Sequence, residues 1–205
     1  MTYFIDKVIS YDMALWVCHA IWAFFAWSYL LLYLYDKKHH YVNRRKNKGI
    51  KLAPFILSAG VVIVAIFHYL NSIGLWVLVE NRSSYLSWVG LLFMVLGLKL
   101  VISARLDLDG FWGPHIYDYD DDVKIVLVKE NTYKHLRHPI YAGQLSMALG
   151  TVLIMNNWLV VGYSVLLLLA LSTRIEREES HLTETFKEEY SKYKQSSYKV
   201  IKYIY

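Results

Sequence analysis

Hydrophobic positions in this chain fall in long unbroken blocks, separated by short polar segments, rather than in one-sided helical stripes. The first block covers residues 13–35, the second 53–79 and the third 85–106. A polar segment, 107–138, follows, then the apolar run 139–155, two asparagines, and a last apolar run, 158–171. A bilayer's hydrocarbon core takes about 20 helical residues to cross. The pattern therefore predicts about five transmembrane helices, the last two forming a hairpin that turns at Asn156 and Asn157. The run 139–155 is the shortest of them, about 25 Å at the helical rise. Between Leu166 and Lys194 no Gly or Pro intervenes. One continuous helix is expected there, leaving the membrane and continuing into water.

Composition agrees with that reading. The chain is 56% hydrophobic with a mean hydropathy of +0.29, against about 45–50% apolar for an ordinary soluble domain. The expected fold class is an all-α integral membrane protein, a single membrane domain over 1–205. Residues 1–106 supply three helices, and 107–205 supply a linker, the hairpin and a C-terminal helix. The polar remainder is too small for a soluble domain with its own core. The lone cysteine, Cys18, lies within an apolar block and can build neither a disulfide nor a thiolate metal cluster. The first block ends in Asp36 and a basic run rather than a small-residue cleavage site, so no cleavable signal peptide is expected.

Net charge is +5, and its placement matters more than its size. Lys37, Lys38, Arg44, Arg45, Lys46, Lys48 and Lys51 crowd the first loop, whereas the opposite side holds only Lys7 and Arg82. The positive-inside rule then places that loop in the cytoplasm and the N-terminus outside. Five crossings return the 107–138 segment and the C-terminal tail to the cytoplasmic side. Nothing resembles a nucleic-acid-binding pattern, and no nucleic acid partner is expected.

Two polar constellations share that side. In "RHPIYAG", Pro139 opens a helix at the position where its missing N–H costs nothing, and the free N–H groups behind it favour an anion. Arg137 and His138 add donors, and Gly143 permits close approach of a backbone or a ligand. Interfacial anchoring on lipid headgroups would explain the same charges. In "TRIEREESHLTETFKEEY", Arg174 and Glu178 lie one turn apart where a membrane helix ends. They form either a weak intrahelical pair or one wall of a polar cavity. Leu182, Phe186, Tyr190 and Tyr193 make a packing stripe. The acidic cluster Asp118, Asp120, Asp121 and Asp122 fits no calcium loop, and no metal is expected.

Together these motifs resemble the isoprenylcysteine carboxyl methyltransferase family and its relatives, the membrane phospholipid methyltransferases. The resemblance rests on "LRHPIYAG", the apolar hairpin, and "RIEREESHLTETFKEEYSKYK", in that order, over roughly 112–194. It implies a methyltransferase that uses S-adenosylmethionine without a Rossmann domain, on a lipophilic or lipidated acceptor in the bilayer. By motif position it implies a cofactor pocket lined by Asp118, Ile125, Val126, Leu127, Val128, Tyr133, Arg137, His138, Pro139, Ile140, Tyr141 and Glu178. Arg174 matches the substrate-side arginine, and Arg174 with Glu178 forms the catalytic pair. Arg137 is left with two options, a ligand or a carboxylate of the tail helix. Carboxyl O-methylation leads over phospholipid N-methylation and thiol S-methylation. A non-enzymatic transport or scaffold protein is the different-class alternative. The chain departs from the family in closing with "SSYKVIKYIY" instead of a proline-rich ending.

Overall fold

The computed structural model describes residues 13–28, 31, 66, 84–108, 126–156 and 158–200. The second apolar block, the basic first loop, Asp118 with its acidic neighbours, and Ile125 lie outside the described residues. Among the described residues four helices carry the fold: α1, Met13–Ser28; α2, Ser84–Leu108; α3, Pro139–Met155; and α4, Trp158–Ser196. Among the described residues there is no strand, only a single parallel bridge between Leu136 and Tyr198. The fold is helical, as the blocks predict. Among the described residues one helix, α2, is long and apolar enough to cross a membrane; α1 and α3 are shorter apolar helices.

The centre of the molecule is an antiparallel pair, α2 against α3. Each helix carries two glycines seven residues apart, and they meet in register: Gly90 opposite Gly150, Gly97 opposite Gly143. A Cβ on Gly97 would lie 2.5 Å from the Gly143 carbonyl oxygen, and one on Gly143 would lie 2.6 Å from that of Gly97. The backbones are in contact, which no other residue permits at this distance. Where lipid already solvates apolar side chains, such close packing is what drives helices together. Gly143 therefore admits a neighbouring helix, one of the two options its sequence position offered. Ser146 adds a hydrogen bond to the Phe93 carbonyl at 2.8 Å.

The face of α1 made by Leu15, Cys18, Trp22 and Phe25 is buried against this pair. Trp22 Nε1 donates to Thr151 Oγ1 at 2.9 Å. One turn on, the Arg105 guanidinium stands 5.8 Å over the Phe25 ring. Thr151 lies near the end of α3 and Arg105 near the end of α2, so α1 runs in the direction of α2.

Outward faces are apolar too. Trp16, Trp27, Leu92, Leu96, Leu166 and Leu169 are all exposed. Tyr85 and Trp158, which open α2 and α4 at the same end of the bundle, are 76% and 74% exposed. So much exposed apolar surface suits a bilayer rather than water, and the aromatic pair suits its interface.

Asn156 closes α3 in the left-handed conformation (φ 43°), its N–H bonded to Val152 O at 2.8 Å. Asparagine tolerates that conformation, and α4 begins two residues later, giving the expected hairpin. The expected single helix beyond it is not continuous. Lys187 has φ 46° and ψ −114°, non-helical values inside α4. Beyond it the chain turns back. Lys194 Nζ lies 3.6 Å from Glu179 Oε2, although fifteen residues of straight helix would separate them by about 22 Å. Lysine carries no breaking signal, so the sequence could not announce this reversal; the contacts made by the returning segment impose it.

Candidate functional site

The site forms where the start of α3 meets the polar half of α4. Pro139 occupies the first turn of α3 and is fully buried, with His138 as the residue before it. The apolar stretch of α4 packs on α3 through Leu167, Leu171 and Ile175 against Tyr141 and Ala148. That packing sets the register. One turn beyond Leu171 comes Arg174, and one turn further Glu178, level with Tyr141.

Glu178 is only 6% exposed and gathers three partners. Tyr141 donates its hydroxyl to Oε1. Arg174 Nε donates to the same oxygen at 3.0 Å. His138 Nδ1 lies 3.7 Å from Oε2. The His138 and Tyr141 rings stack at 5.7 Å, and the Arg174 guanidinium stands 5.8 Å over the Tyr141 ring. Thus Arg174 and Glu178 do form the intrahelical pair, and the pair is also joined across to α3. Arg174 is the most exposed member, with 29% of its side chain accessible.

A second carboxylate, Glu179, faces the other way. Arg137 Nε donates to it at 2.8 Å, and His138 Nε2 lies 3.3 Å away. Burial alone would raise this carboxyl. Hydrogen bonds from His138 and Arg137, with the Arg137 charge, outweigh it and hold the group down at about 2. Arg137 also donates to the carbonyls of Lys194 and Ser197. Of its two options, the guanidinium takes the carboxylate of the tail helix.

The returning tail completes this wall. Arg137 N–H bonds to Tyr198 O at 2.8 Å, His138 N–H to Lys199 O at 3.0 Å, and Tyr198 N–H to His135 O at 2.9 Å. The unfamiliar "SSYK" ending therefore runs beside the "LRH" segment and fixes it. Tyr193 donates its hydroxyl to the carbonyl of Tyr133, a buried residue on the short 3-10 turn Asn131–Lys134.

Of the other sequence-derived positions, Val126 is exposed and Leu127 and Val128 are half-buried, all three outside any helix or strand. Ile140 packs into the apolar core. His138, Tyr141, Arg174 and Glu178 come together; Tyr133 joins them through the tail rather than by direct contact. Sequence reasoning passed over Arg105, buried in the last turn of α2. It also passed over Asp107, which accepts from the Thr132 N–H at 3.0 Å and from Asn131 Nδ2 at 3.2 Å. A basic or acidic residue in the last turn of a membrane helix is the signal that could have found both. Beside the site lies an open groove of about 420 Å³, lined by Lys129, Lys134, His135, Glu189, Lys192, Tyr193 and Ser196.

This pairing of an "RHP" helix start with an arginine–glutamate helix end lies in a segment with known relatives. Residues 85–189 match the family model described as phospholipid methyltransferase. The chain belongs to that family. Among curated proteins it is similar to a protein-S-isoprenylcysteine O-methyltransferase of Dictyostelium discoideum, 34% identical over 110 residues, 53% of this chain and 46% of that protein. The proteins of the same name from Xenopus laevis and Homo sapiens are 26% and 27% identical. The matches cover 93% and 84% of this chain, and 68% and 63% of those proteins. The match to the Dictyostelium protein thus spans about half of that relative's length. The isoprenylcysteine carboxyl methyltransferase family read from the motifs is the one these relatives carry in their names.

Proposed function

We propose that this chain is an integral membrane methyltransferase that uses S-adenosylmethionine and modifies a lipophilic acceptor, with carboxyl O-methylation of an isoprenylcysteine-like group as the leading chemistry. The observation that carries it is the convergence of His138 and Tyr141 with Arg174 and Glu178 at one end of an apolar bundle. Buried ionisable groups at a membrane boundary are costly and mark function.

The donor set suits the cofactor. Glu178, a buried carboxylate that already collects a guanidinium, can hold an ammonium. His138 and the α3 start suit a carboxylate, and Tyr133 with 125–128 suits the adenine. When bound, the cofactor supplies a methyl group on a positively charged sulfur. The protein's share is positioning and exclusion of water, because displacement at that carbon needs alignment more than acid or base. An acceptor carboxylate is already ionised, and Arg174, the exposed member of the cluster, can hold it by a two-pronged contact. Glu178 is already engaged by the Arg174 guanidinium and the Tyr141 hydroxyl, which favours an acceptor carboxylate over an amine that must lose a proton.

The same reading includes five spans with the N-terminus outside and the site cytoplasmic. Two observations support it. First, α1 ends and α2 begins at opposite ends of the bundle. Second, the apolar run 53–79 lies between them.

Titration of purified protein with S-adenosylhomocysteine tests the reading. The wild type should bind, and Glu178→Ala and His138→Ala should each weaken binding at least about tenfold. Absence of binding by the wild type removes the enzyme reading; undiminished binding by both variants removes the site. Transfer of labelled methyl to a membrane extract decides the acceptor, since a methyl ester releases its label as methanol in alkali and N- or S-methyl products do not.

A further inference from the structure

Tyr190 is fully buried, yet its hydroxyl has no hydrogen-bond partner among the described residues. Buried phenols normally find one, so this O–H is a donor open to a ligand acceptor. Its position is not an accident of a continuing helix. Twelve residues beyond Glu178, a straight α4 would carry Tyr190 about 18 Å away. The reversal at Lys187 (φ 46°) returns it to the site. It packs edge-on to Tyr193 at 6.0 Å, with Lys194 Nζ 5.0 Å over its ring. The Lys194 ammonium is itself 3.6 Å from Glu179. Burial, followed by the negative charges of Glu179 and Glu178, pushes the pKa of this phenol up, against the opposing charge of Arg137. It stays a donor at any physiological pH.

Resting on the function proposed above, we infer that Tyr190 is a further cofactor-binding residue, its hydroxyl donating a hydrogen bond to an oxygen of the bound methyl donor. Two oxygens of that molecule qualify beside a carboxylate that holds its ammonium: the amino-acid carboxylate and a ribose hydroxyl. A strained, non-glycine kink and an unmet buried donor are both costs in the free protein, and a ligand acceptor recovers the second.

Tyr190→Phe removes only the oxygen and tests this without relying on turnover. S-adenosylhomocysteine affinity should fall about five- to tenfold, as for one hydrogen bond. The melting temperature of the ligand-free variant should stay the same or rise, because an unpaired buried group has been removed. Affinity within twofold of wild type overturns the inference. So does a ligand-free melting temperature lowered by more than about 3 °C, whatever the affinity, because the hydroxyl then already has a partner. Repeating the titration with 5′-methylthioadenosine, which lacks the amino-acid end, locates the oxygen: a persisting penalty means ribose, a vanished one the carboxylate. If the wild type itself binds neither molecule, the proposed function fails first.

Discussion

Midway along α3, Gly143 and Gly150 meet the backbone of α2 with no side chain between them. At its first residues the same helix starts among two glutamates, two arginines, a histidine and a returning tail. The first contact is non-polar, local to two helices, and set by shape. The second is polar and joins segments some 60 residues apart, as in Arg137 with Ser197. Dispersion between close-packed backbones holds the first without any polar partner. Water reaches the edge of the second, and it holds because each buried charge has a counter-charge. The bundle centre is thus a rigid support, and the adjustable chemistry is gathered at one end of it.

Breaking the support should have the largest effect. Gly143→Leu places atoms where the Gly97 carbonyl already stands, so α2 and α3 must separate. A loss of at least about 3 kcal/mol is expected, seen as loss of monodisperse protein in detergent. Breaking the polar wall comes next. Arg137→Ala leaves Glu179 without its main donor and frees the tail, at about 2–3 kcal/mol. Hydrogen exchange should rise in 194–200 and not along α2, which separates the two regions directly.

Acid attacks the same wall reversibly. Glu179 is held at about 2, against 4.5 for an unperturbed glutamate. A depressed carboxyl contributes its full stability above pH 4.5 and loses it as pH falls from there toward 2. Thermal melts across that window should decline in the wild type, and the decline should be shallower in Glu179→Gln. The smallest effect belongs to the kink. Lys187→Gly places a permissive residue at the positive φ and should raise stability by about 1 kcal/mol, a melting shift of a few degrees. Destabilisation instead would mean that the Lys187 side chain makes the turn worth its strain.

Some of this was legible beforehand. Apolar runs such as Pro139–Met155 announce helices because backbone groups in lipid must bond within their own segment. The hairpin at Asn156 and the cluster of His138, Tyr141, Arg174 and Glu178 were also readable, since proline placement and helical spacing are local properties. The seven-residue glycine spacings are visible in the chain, but nothing in either helix names the other as partner.

By itself, then, the sequence determined that the described segments are helical, where α2, α3 and α4 begin, and which residue types gather at their polar ends. These follow from solvation and from short-range backbone sterics. Only the tertiary structure decided that Gly97 meets Gly143, that Arg137 turns to Glu179 and the tail, and that α4 reverses at Lys187 to bury Tyr190 beside the site. Each of those depends on surfaces far apart along the chain. A conformation such as that of Lys187, unfavourable alone, persists because contacts elsewhere outweigh its cost.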